Sequence, residues 1–244
     1  MNLEIIAHRG FSSIAPENTL AAFQTAIQHQ ADSIEFDLQI SADGIPIIFH
    51  DETLERITGS TGKIQQKKLK ELKHLSAGAW FSNDFHQATI PTLTEALESL
   101  KEIKDYLYFD VKPHCQWSEV EIESLILELK DKKLLEKSII TSFNEMFLDR
   151  CRTICPTIQL GYFVTDIAEF PKQLNKAKTA GNAILSSWYK VLLKDPNWVK
   201  QSHEQGVSVV AWTVDRPEDL QKLTQIGVKR IITNSLIGYQ SLTD

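Results

Sequence analysis

The chain has 244 residues, of which 42% are hydrophobic and 24% charged, so it carries enough apolar content for a sizeable core. The formal net charge of −6 argues against a protein that binds nucleic acid or an anionic membrane through a broad basic surface. Because we see no leader in residues 1–10, no apolar run that could span a bilayer and only three cysteines, we expect a reduced, cytoplasmic protein without stable membrane insertion.

The first elements along the chain form a strand, a loop and a helix. An apolar strand at 4–8 leads directly into His8-Arg9-Gly10. Pro16-Glu17-Asn18-Thr19 then opens a helix with apolar residues at helical spacing, and we interpret Glu17 and Asn18 as loop and cap residues first. Since a second strand follows, this order predicts a βαβ unit with parallel pairing.

The second strand, from Ser33 to Ile40, alternates apolar and polar residues, so Glu35 and Asp37 project from one face. Two carboxylates on an apolar strand repel each other unless a cation or a proton lies between them. Taken alone, the pair would also fit an edge strand with a solvated face. The turn at 41–44 is too short for a parallel crossover, so residues 45–49 are predicted to return antiparallel and to bring His50 level with the carboxylates.

Residues 52–90 interrupt the alternation of strands and helices. They contain a basic amphipathic segment, 66–74, followed by Trp80, Phe81 and Phe85. The segment is too short for an independent core, so we interpret it as a small insertion above the sheet. Its three aromatic side chains either cover a ligand or form the insertion's own core.

From residue 92 onward, helices and strands alternate to the end of the chain. Capping boxes at Thr92 and Ser118 predict helices at 92–104 and 118–133. Further helices are predicted at 144–154, 170–180, 196–205 and 217–226. Without the return strand, eight strands remain, at 4–8, 33–38, 106–112, 138–142, 157–163, 183–186, 207–213 and 228–233. This pattern predicts a TIM-type (β/α)8 barrel in a single domain over 1–244, with an open doubly wound sheet as the alternative.

The active site of such a barrel lies at the carboxyl ends of its strands. Polar side chains expected at this rim are His8, Arg9, Glu35, Asp37, His50, Asp110 and Lys112. Each has another explanation when taken alone; Arg9, for example, could pair with Glu17. On adjacent strands, the whole set indicates one site.

The residue types at this rim indicate the chemistry. Three carboxylates favour a hard divalent cation, Mg²⁺ or Ca²⁺, over zinc. Two histidines that are not needed as ligands are free to act as general base and general acid. An arginine and a lysine beside the cation suit an anionic group that gains charge during the reaction. The rim therefore predicts metal-assisted hydrolysis of a phosphodiester.

Several motifs of the chain, taken in order, resemble one known family. They are His8-Arg9-Gly10, Pro16-Glu17-Asn18-Thr19, Glu35-x-Asp37, Asp43-Gly44-x-Pro46 leading to His50-Asp51, Asp110-x-Lys112, Ala211-Trp212-Thr213-Val214 and Gly227-Val228 with Ile232-Thr233. Along essentially the whole chain they are similar to the glycerophosphodiester phosphodiesterase family. The resemblance implies a TIM barrel with an insertion after the His-Asp hairpin, in agreement with the strand count.

The resemblance implies a reaction and a metal site. The reaction would split a small glycerophosphodiester, such as glycerophosphocholine or glycerophosphoethanolamine, into sn-glycerol 3-phosphate and an alcohol, as part of lipid and glycerol metabolism. Glu35, Asp37 and Asp110 would hold one divalent cation, Mg²⁺ or Ca²⁺, with Mn²⁺ as a further option. The head-group alcohol and the oligomeric state stay open.

The resemblance also assigns the remaining site residues. His8 and His50 would form the acid–base pair, with His8 favoured as the base and His50 as the acid. Arg9 and Lys112 would bind the phosphate. The attacking hydroxyl, from water or from the substrate's own glycerol, stays open.

The chain departs from the family's pattern at two positions. Asp110 stands where the family usually has Glu, so the reach to the metal is shorter by one methylene. The last strand ends in Thr233-Asn234 rather than Thr-Asp, and we interpret this position as structural. Phe143 and Trp212 are expected either on the pocket wall or in the core.

Two other functions remain alternatives at this point. One is a lysophospholipase D type of activity, in which the aromatic insertion would meet an acyl chain. The other is a catalytically silent protein that binds phosphorylated glycerol compounds, with Asp110 as the lesion.

Overall fold

A computed structural model describes residues 3–235 and shows eight parallel strands closed into a barrel. The strands are β1 (Glu4–His8), β2 (Ser33–Ile40), β3 (Pro46–Ile48), β4 (Leu107–Val111), β5 (Ser138–Ser142), β6 (Gln159–Val164), β7 (Ala183–Trp188), β8 (Ser208–Trp212) and β9 (Arg230–Thr233). Because β1 pairs in parallel with both β2 and β9, the sheet is closed, which confirms the TIM barrel and excludes the open sheet. The short strand β3 lies outside the ring and pairs antiparallel with β2, as predicted.

Helices surround the barrel. They are α1 (Leu20–Gln28), α2 (Glu55–Thr58), α3 (Leu69–Leu72), α4 (Leu93–Ser99), α5 (Glu119–Asp131), α6 (Glu145–Ile154), α7 (Phe170–Ala180), α8 (Tyr189–Lys194), α9 (Asn197–Glu204) and α10 (Pro217–Gln225). Both predicted capping boxes are present, at the starts of α4 and α5. Among residues 3–235, no helix combines the length and the apolar character that crossing a membrane requires.

The helix predicted at 92–104 is shorter than expected and ends at Ser99. Leu100 and Ile103 continue the apolar stripe and are buried, but they lie in turns. The backbone leaves the helix early so that it can enter β4, and the Asp105 N–H donates to the Asp32 carbonyl 2.9 Å away. The apolar spacing therefore predicts correctly which side chains are buried, but it places the end of the helix too late. The short helix α8 was not predicted.

The main core lies between the barrel and its helices, and a smaller apolar cluster fills the barrel interior around Tyr108. A polar group lies at the amino-terminal end of the barrel. There the carboxylate of Glu4 accepts from Ser33 Oγ at 2.6 Å and from Tyr108 OH at 2.9 Å, and pairs with Arg230 at 2.8 Å. Because these partners satisfy the buried Glu4, this end of the barrel is filled, and the other end is available for a site.

Residues 52–90 contain α2, α3 and short 3-10 turns, and their apolar side chains form a cluster separate from the main core. Phe49, directly before His50, belongs to this cluster. Trp80 and Phe85 each contact Phe81 edge to face, with ring centroids 5.6 and 5.8 Å apart. The aromatic residues of this segment therefore pack on one another.

Candidate active site

Three predicted carboxylates meet at the carboxyl end of the barrel. Parallel pairing places His8 opposite Glu35 and Asp37 opposite Asp110. Because side chains alternate along a strand, these residues all point toward the barrel axis. One oxygen from each of Glu35, Asp37 and Asp110 lies within 4.8 Å of the others.

The cations Lys112 and Arg9 lie against this cluster. Lys112 Nζ is 2.5 Å from an oxygen of Asp37 and 2.7 Å from one of Asp110, and Arg9 Nε is 3.0 Å from the other oxygen of Asp37. Burial alone would raise the pKa of Asp37, but these two cations hold it well below its usual range. For Glu35, burial and the charges of Asp37 and Asp110 raise the pKa well above its ordinary value.

These carboxylates fit a hard divalent cation. Burial also raises the pKa of Asp110, so the cluster lacks enough positive charge to keep all three groups ionised. Among the described residues, the buried oxygen Asp110 Oδ1 has no hydrogen-bond partner. An all-oxygen donor set of this kind suits Mg²⁺ or Ca²⁺. Glu35, Asp37 and Asp110 are thus the residues that could hold such an ion.

The loop after β1 wraps around Asp37 and Glu35. The side chain of Asn18 donates to Asp37 Oδ2 at 2.6 Å and accepts from the Asp37 N–H, while the Arg9 N–H donates to Glu35 at 3.0 Å. Gly10 (φ +83°) allows this tight path, because a Cβ there would lie 2.6 Å from the backbone of Ala22. We interpreted Asn18 first as a loop or cap residue; the N-cap of α1 is Thr19, and Asn18 contacts the site.

His8 is oriented by a residue near the end of the described chain. Its Nδ1 lies 2.6 Å from Asn234 Oδ1, and the Asn234 amide nitrogen donates to Asp215 at 2.7 Å. Because a carboxylate only accepts, Asn234 must turn its nitrogen to Asp215 and its oxygen to His8. The proton of a neutral His8 therefore lies on Nδ1, and Nε2 carries the lone pair.

The charge of His8 follows from its surroundings. Burial, reinforced by the positive charge of Arg9, lowers the pKa of His8 to about 4. The contact with Asn234 was missed because we interpreted position 234 as structural, and the two residues are 226 positions apart. The only sequence signal was the amide in place of the family's usual carboxylate.

His50 faces a carboxylate instead. Its Nδ1 lies 2.6 Å from Asp51 Oδ1, and Arg56 binds both Asp51 and Glu17 at 2.6 to 3.0 Å. Glu17 in turn pairs with Arg9 at 2.8 Å. Burial would raise the pKa of the Asp51 carboxylate, but the hydrogen bonds that it accepts from Arg56 and His50 lower this pKa to about 2. A continuous set of ion pairs thus joins the loop after β1, which carries Arg9 and Glu17, to the segment that carries His50.

A cavity of about 290 Å³ opens over these groups. Six of the seven predicted polar side chains line it, while Asp37 lies buried outside its lining. The opposite wall is aromatic: Phe143 stacks on Phe163 with centroids 4.2 Å apart, and Phe163 meets Trp212 edge to face at 5.8 Å. Phe143 and Trp212 therefore belong to the pocket wall. The aromatic side chains of residues 52–90 are not part of its described lining.

Comparisons with known proteins agree with this arrangement. The family model of the glycerophosphoryl diester phosphodiesterase family matches residues 8–237. A glycerophosphodiester phosphodiesterase of Caldanaerobacter subterraneus subsp. tengcongensis is 34% identical over 96% of this chain and 95% of its own, and one of Bacillus subtilis is 31% identical over 94% and 82%. An Oleispira antarctica phosphodiesterase, solved in complex with the product sn-glycerol-3-phosphate, superposes with a TM-score of 0.88 at 33% identity, covering 98% of this chain and 95% of its own.

Proposed function

Because this chain belongs to the glycerophosphoryl diester phosphodiesterase family and is an enzyme of glycerophosphodiester hydrolysis, we propose that it releases sn-glycerol 3-phosphate and an alcohol from small glycerophosphodiesters. Glycerophosphocholine and glycerophosphoethanolamine are the proposed substrates. The observation that carries the proposal is the meeting of two histidines, two cations and two carboxylates on one cavity of about 290 Å³. Membership in a family of enzymes sets aside the silent binding protein.

The proposed enzyme holds one divalent cation, Mg²⁺ or Ca²⁺, with Mn²⁺ also compatible, on Glu35, Asp37 and Asp110. Such a cation, when bound, polarises a phosphate oxygen and makes the attacking hydroxyl more acidic. Arg9 and Lys112 line the same cavity and add fixed positive charge for the phosphate. Lys112 already lies between Asp37 and Asp110, so it holds both carboxylates in place for the cation.

We assign His8 as the general base. Its Nε2 carries the lone pair because Asn234 holds the Nδ1 proton, and the lowered pKa keeps the ring neutral near neutral pH. Nε2 lies 3.9 Å from Glu35, so it faces the carboxylate cluster and can accept the proton of a hydroxyl bound there.

We assign His50 as the general acid. The Asp51 carboxylate accepts from the Nδ1–H and fixes the orientation of the ring, which leaves Nε2 as the nitrogen that can donate a proton. The leaving alkoxide takes that proton as its bond to phosphorus breaks. The two histidines are therefore distinguished by their partners, an amide for the base and a carboxylate for the acid.

A second candidate function is release of the head group from lysophospholipids. Phe143 lines the cavity and is also 50% exposed, so the aromatic wall continues from the site to the surface, where an acyl chain would find apolar contact. This route lies along Phe143 and Phe163, and not along the aromatic residues of the insertion, where we first expected it.

The test is release of glycerol 3-phosphate from glycerophosphocholine by EDTA-stripped protein, before and after Mg²⁺, Ca²⁺ or Mn²⁺ is restored. Release that depends on the metal supports the proposal. Release that is unchanged by EDTA rejects the role of the cation. Release of choline from lysophosphatidylcholine, with no turnover of glycerophosphocholine, selects the second candidate. His50→Ala should abolish turnover of glycerophosphocholine while the thermal unfolding temperature stays close to that of the wild type.

A further inference from the structure

Gln39 is a fully buried amide at the end of β2, and all of its hydrogen-bonding groups have partners. Its Nε2 donates to the carbonyl of Phe49 at 2.8 Å and to the carbonyl of Asp51 at 2.7 Å. Its Oε1 lies 3.0 Å from His114 Nε2 and 3.5 Å from Cys115 Sγ. The two carbonyls are those of the residues directly before and after His50.

The orientation of this amide follows from its partners. Backbone carbonyls only accept, so the nitrogen of Gln39 must face Phe49 and Asp51, and the oxygen must face His114. His114 therefore donates from Nε2. The side chain of Gln39 joins three segments: β2, the segment that carries His50, and the loop that follows β4.

The segment that carries His50 needs such a partner. Pairing between β2 and β3 ends at Leu38 and Ile48, and the last ladder bond runs from the Phe49 N–H to the Asp37 carbonyl at 3.0 Å. Beyond that point the segment leaves the sheet. The amide of Gln39 supplies hydrogen bonds where the strand pairing has ended, because its nitrogen donates to the carbonyls on both sides of His50.

We propose that Gln39 is a positioning residue that holds the backbone of His50 at the place from which it protonates the leaving alcohol. Gln39 is outside the described lining of the cavity, so it acts through His50. Arg56, through Asp51, controls the ring of His50, whereas Gln39 controls its backbone. The inference rests on the proposed function, in which His50 is the general acid.

The experiment compares two substrates of the intact enzyme with metal supplied. Glycerophosphocholine has a leaving alkoxide that needs a proton, whereas the p-nitrophenyl ester of glycerol 3-phosphate releases an anion that is stable near neutral pH. Loss of general-acid catalysis should therefore slow the first substrate and spare the second.

The test variants are Gln39→Met, which keeps the length of the side chain but removes the amide, and Gln39→Glu, which keeps the size and can supply at most one donor. We expect Gln39→Met to lower kcat on glycerophosphocholine on the order of tenfold to a hundredfold with little change in KM, and to alter the p-nitrophenyl reaction only slightly. Gln39→Glu should show the same pattern to a smaller degree, and it replaces Gln39→Met if that variant does not fold.

Two control variants show whether a loss of activity in the Gln39 variants comes from general-acid catalysis. His50→Ala should show the same dependence on the leaving group, only stronger. Ser138→Ala removes an equally buried side-chain donor to a backbone carbonyl, that of Leu134, at the other end of the barrel, and should affect both substrates alike.

Equal losses on both substrates in the Gln39 variants, while His50→Ala still discriminates, would overturn the role of Gln39 alone. Equal losses in His50→Ala would overturn the assignment of His50 as the acid, and this inference with it. A wild-type enzyme that releases no glycerol 3-phosphate would instead reject the proposed function.

Discussion

At the scale of single residues, the site is defined by the different partners of its two imidazoles. His8 faces the neutral amide of Asn234, and His50 faces the carboxylate of Asp51, each through Nδ1 at 2.6 Å. Burial and the fixed charge of Arg9 disfavour a positive charge on His8, whereas the Nδ1–H of His50 donates to the Asp51 carboxylate. Two residues of one type thereby become suited to opposite proton transfers.

The first prediction concerns the pH dependence of activity. A base must be unprotonated, so kcat/KM falls as the pH drops through the pKa of His8, which is lowered to about 4. With saturating metal, we expect the acid limb of kcat/KM well below pH 6.5, the ordinary value for histidine. Arg9→Gln removes a neighbouring positive charge and should move the midpoint of this limb to higher pH, although it also slows the reaction. A wild-type midpoint at or above 6.5 would contradict the assignment.

The second prediction concerns Asn234. Asn234→Ala removes the acceptor that holds the Nδ1 proton of His8, so the ring is free to turn or to change tautomer. We expect kcat to fall on the order of tenfold to a hundredfold with both glycerophosphocholine and the p-nitrophenyl ester. The base takes the proton of the attacking hydroxyl, and both substrates need that step whatever their leaving group. Ser12→Ala is the matched control. Ser12 donates to the same Asn234 oxygen at 2.9 Å, but its removal leaves that oxygen in place for the Nδ1 proton of His8. Equal effects of the two substitutions would argue against the role of Asn234.

At the scale of elements, the site depends on the loop that leaves β1 and enters α1. This loop places Arg9 and Asn18 on Asp37, and it can do so only because Gly10 lies directly against Ala22 of α1. The loop that carries Arg9 and Asn18 and the packing of α1 are therefore one structural feature.

The third prediction tests that feature with two glycines. Gly10→Ala forces a Cβ into the backbone of Ala22, whereas Gly59→Ala, in the left-handed region after α2 (φ +70°), would meet no atom within 4 Å. Gly59→Ala should cost roughly 1 kcal/mol from backbone strain alone. Gly10→Ala should cost an additional ~1–3 kcal/mol from overpacking, and it should also lower activity. Urea unfolding of both variants checks this, and equal losses of stability would show that the close approach is not limiting.

The elements also show what the sequence could and could not predict. Periodicity locates the strands within a few residues. Because strand ends meet at one rim, it also predicts that Glu35, Asp37 and Asp110 lie together, and in the structure they do. The contacts of Gln39 and Asn234 were not foreseen. Asn234 meets His8 only because β1 pairs with β9 and closes the barrel, and Gln39 binds a segment that has already left the sheet. Local pattern carries no information on such contacts.

At the scale of the whole molecule, carboxylates from two neighbouring strands converge in a buried, like-charged cluster. The folded chain keeps Glu35, Asp37 and Asp110 close together even though burial and mutual repulsion raise the pKa of Glu35 and Asp110. Such a cluster costs stability unless something of opposite charge binds it. Binding of a cation by the folded state alone must therefore stabilise the entire barrel.

The fourth prediction follows from this linkage. At a cation concentration about 100 times the Kd, the gain is ~2.7 kcal/mol, which for a chain of this size corresponds to a rise in Tm of roughly 5–10 °C. Differential scanning fluorimetry of EDTA-stripped protein, titrated with Mg²⁺, Ca²⁺ and Mn²⁺, measures this rise without any assay of activity. Glu35→Gln should lose the rise without lowering the Tm of the stripped protein, because it removes a repelling carboxylate. Glu98→Gln, which removes an exposed carboxylate that pairs with Lys101 and is not part of the cluster, should keep the full rise. A rise that survives in Glu35→Gln would place the cation elsewhere.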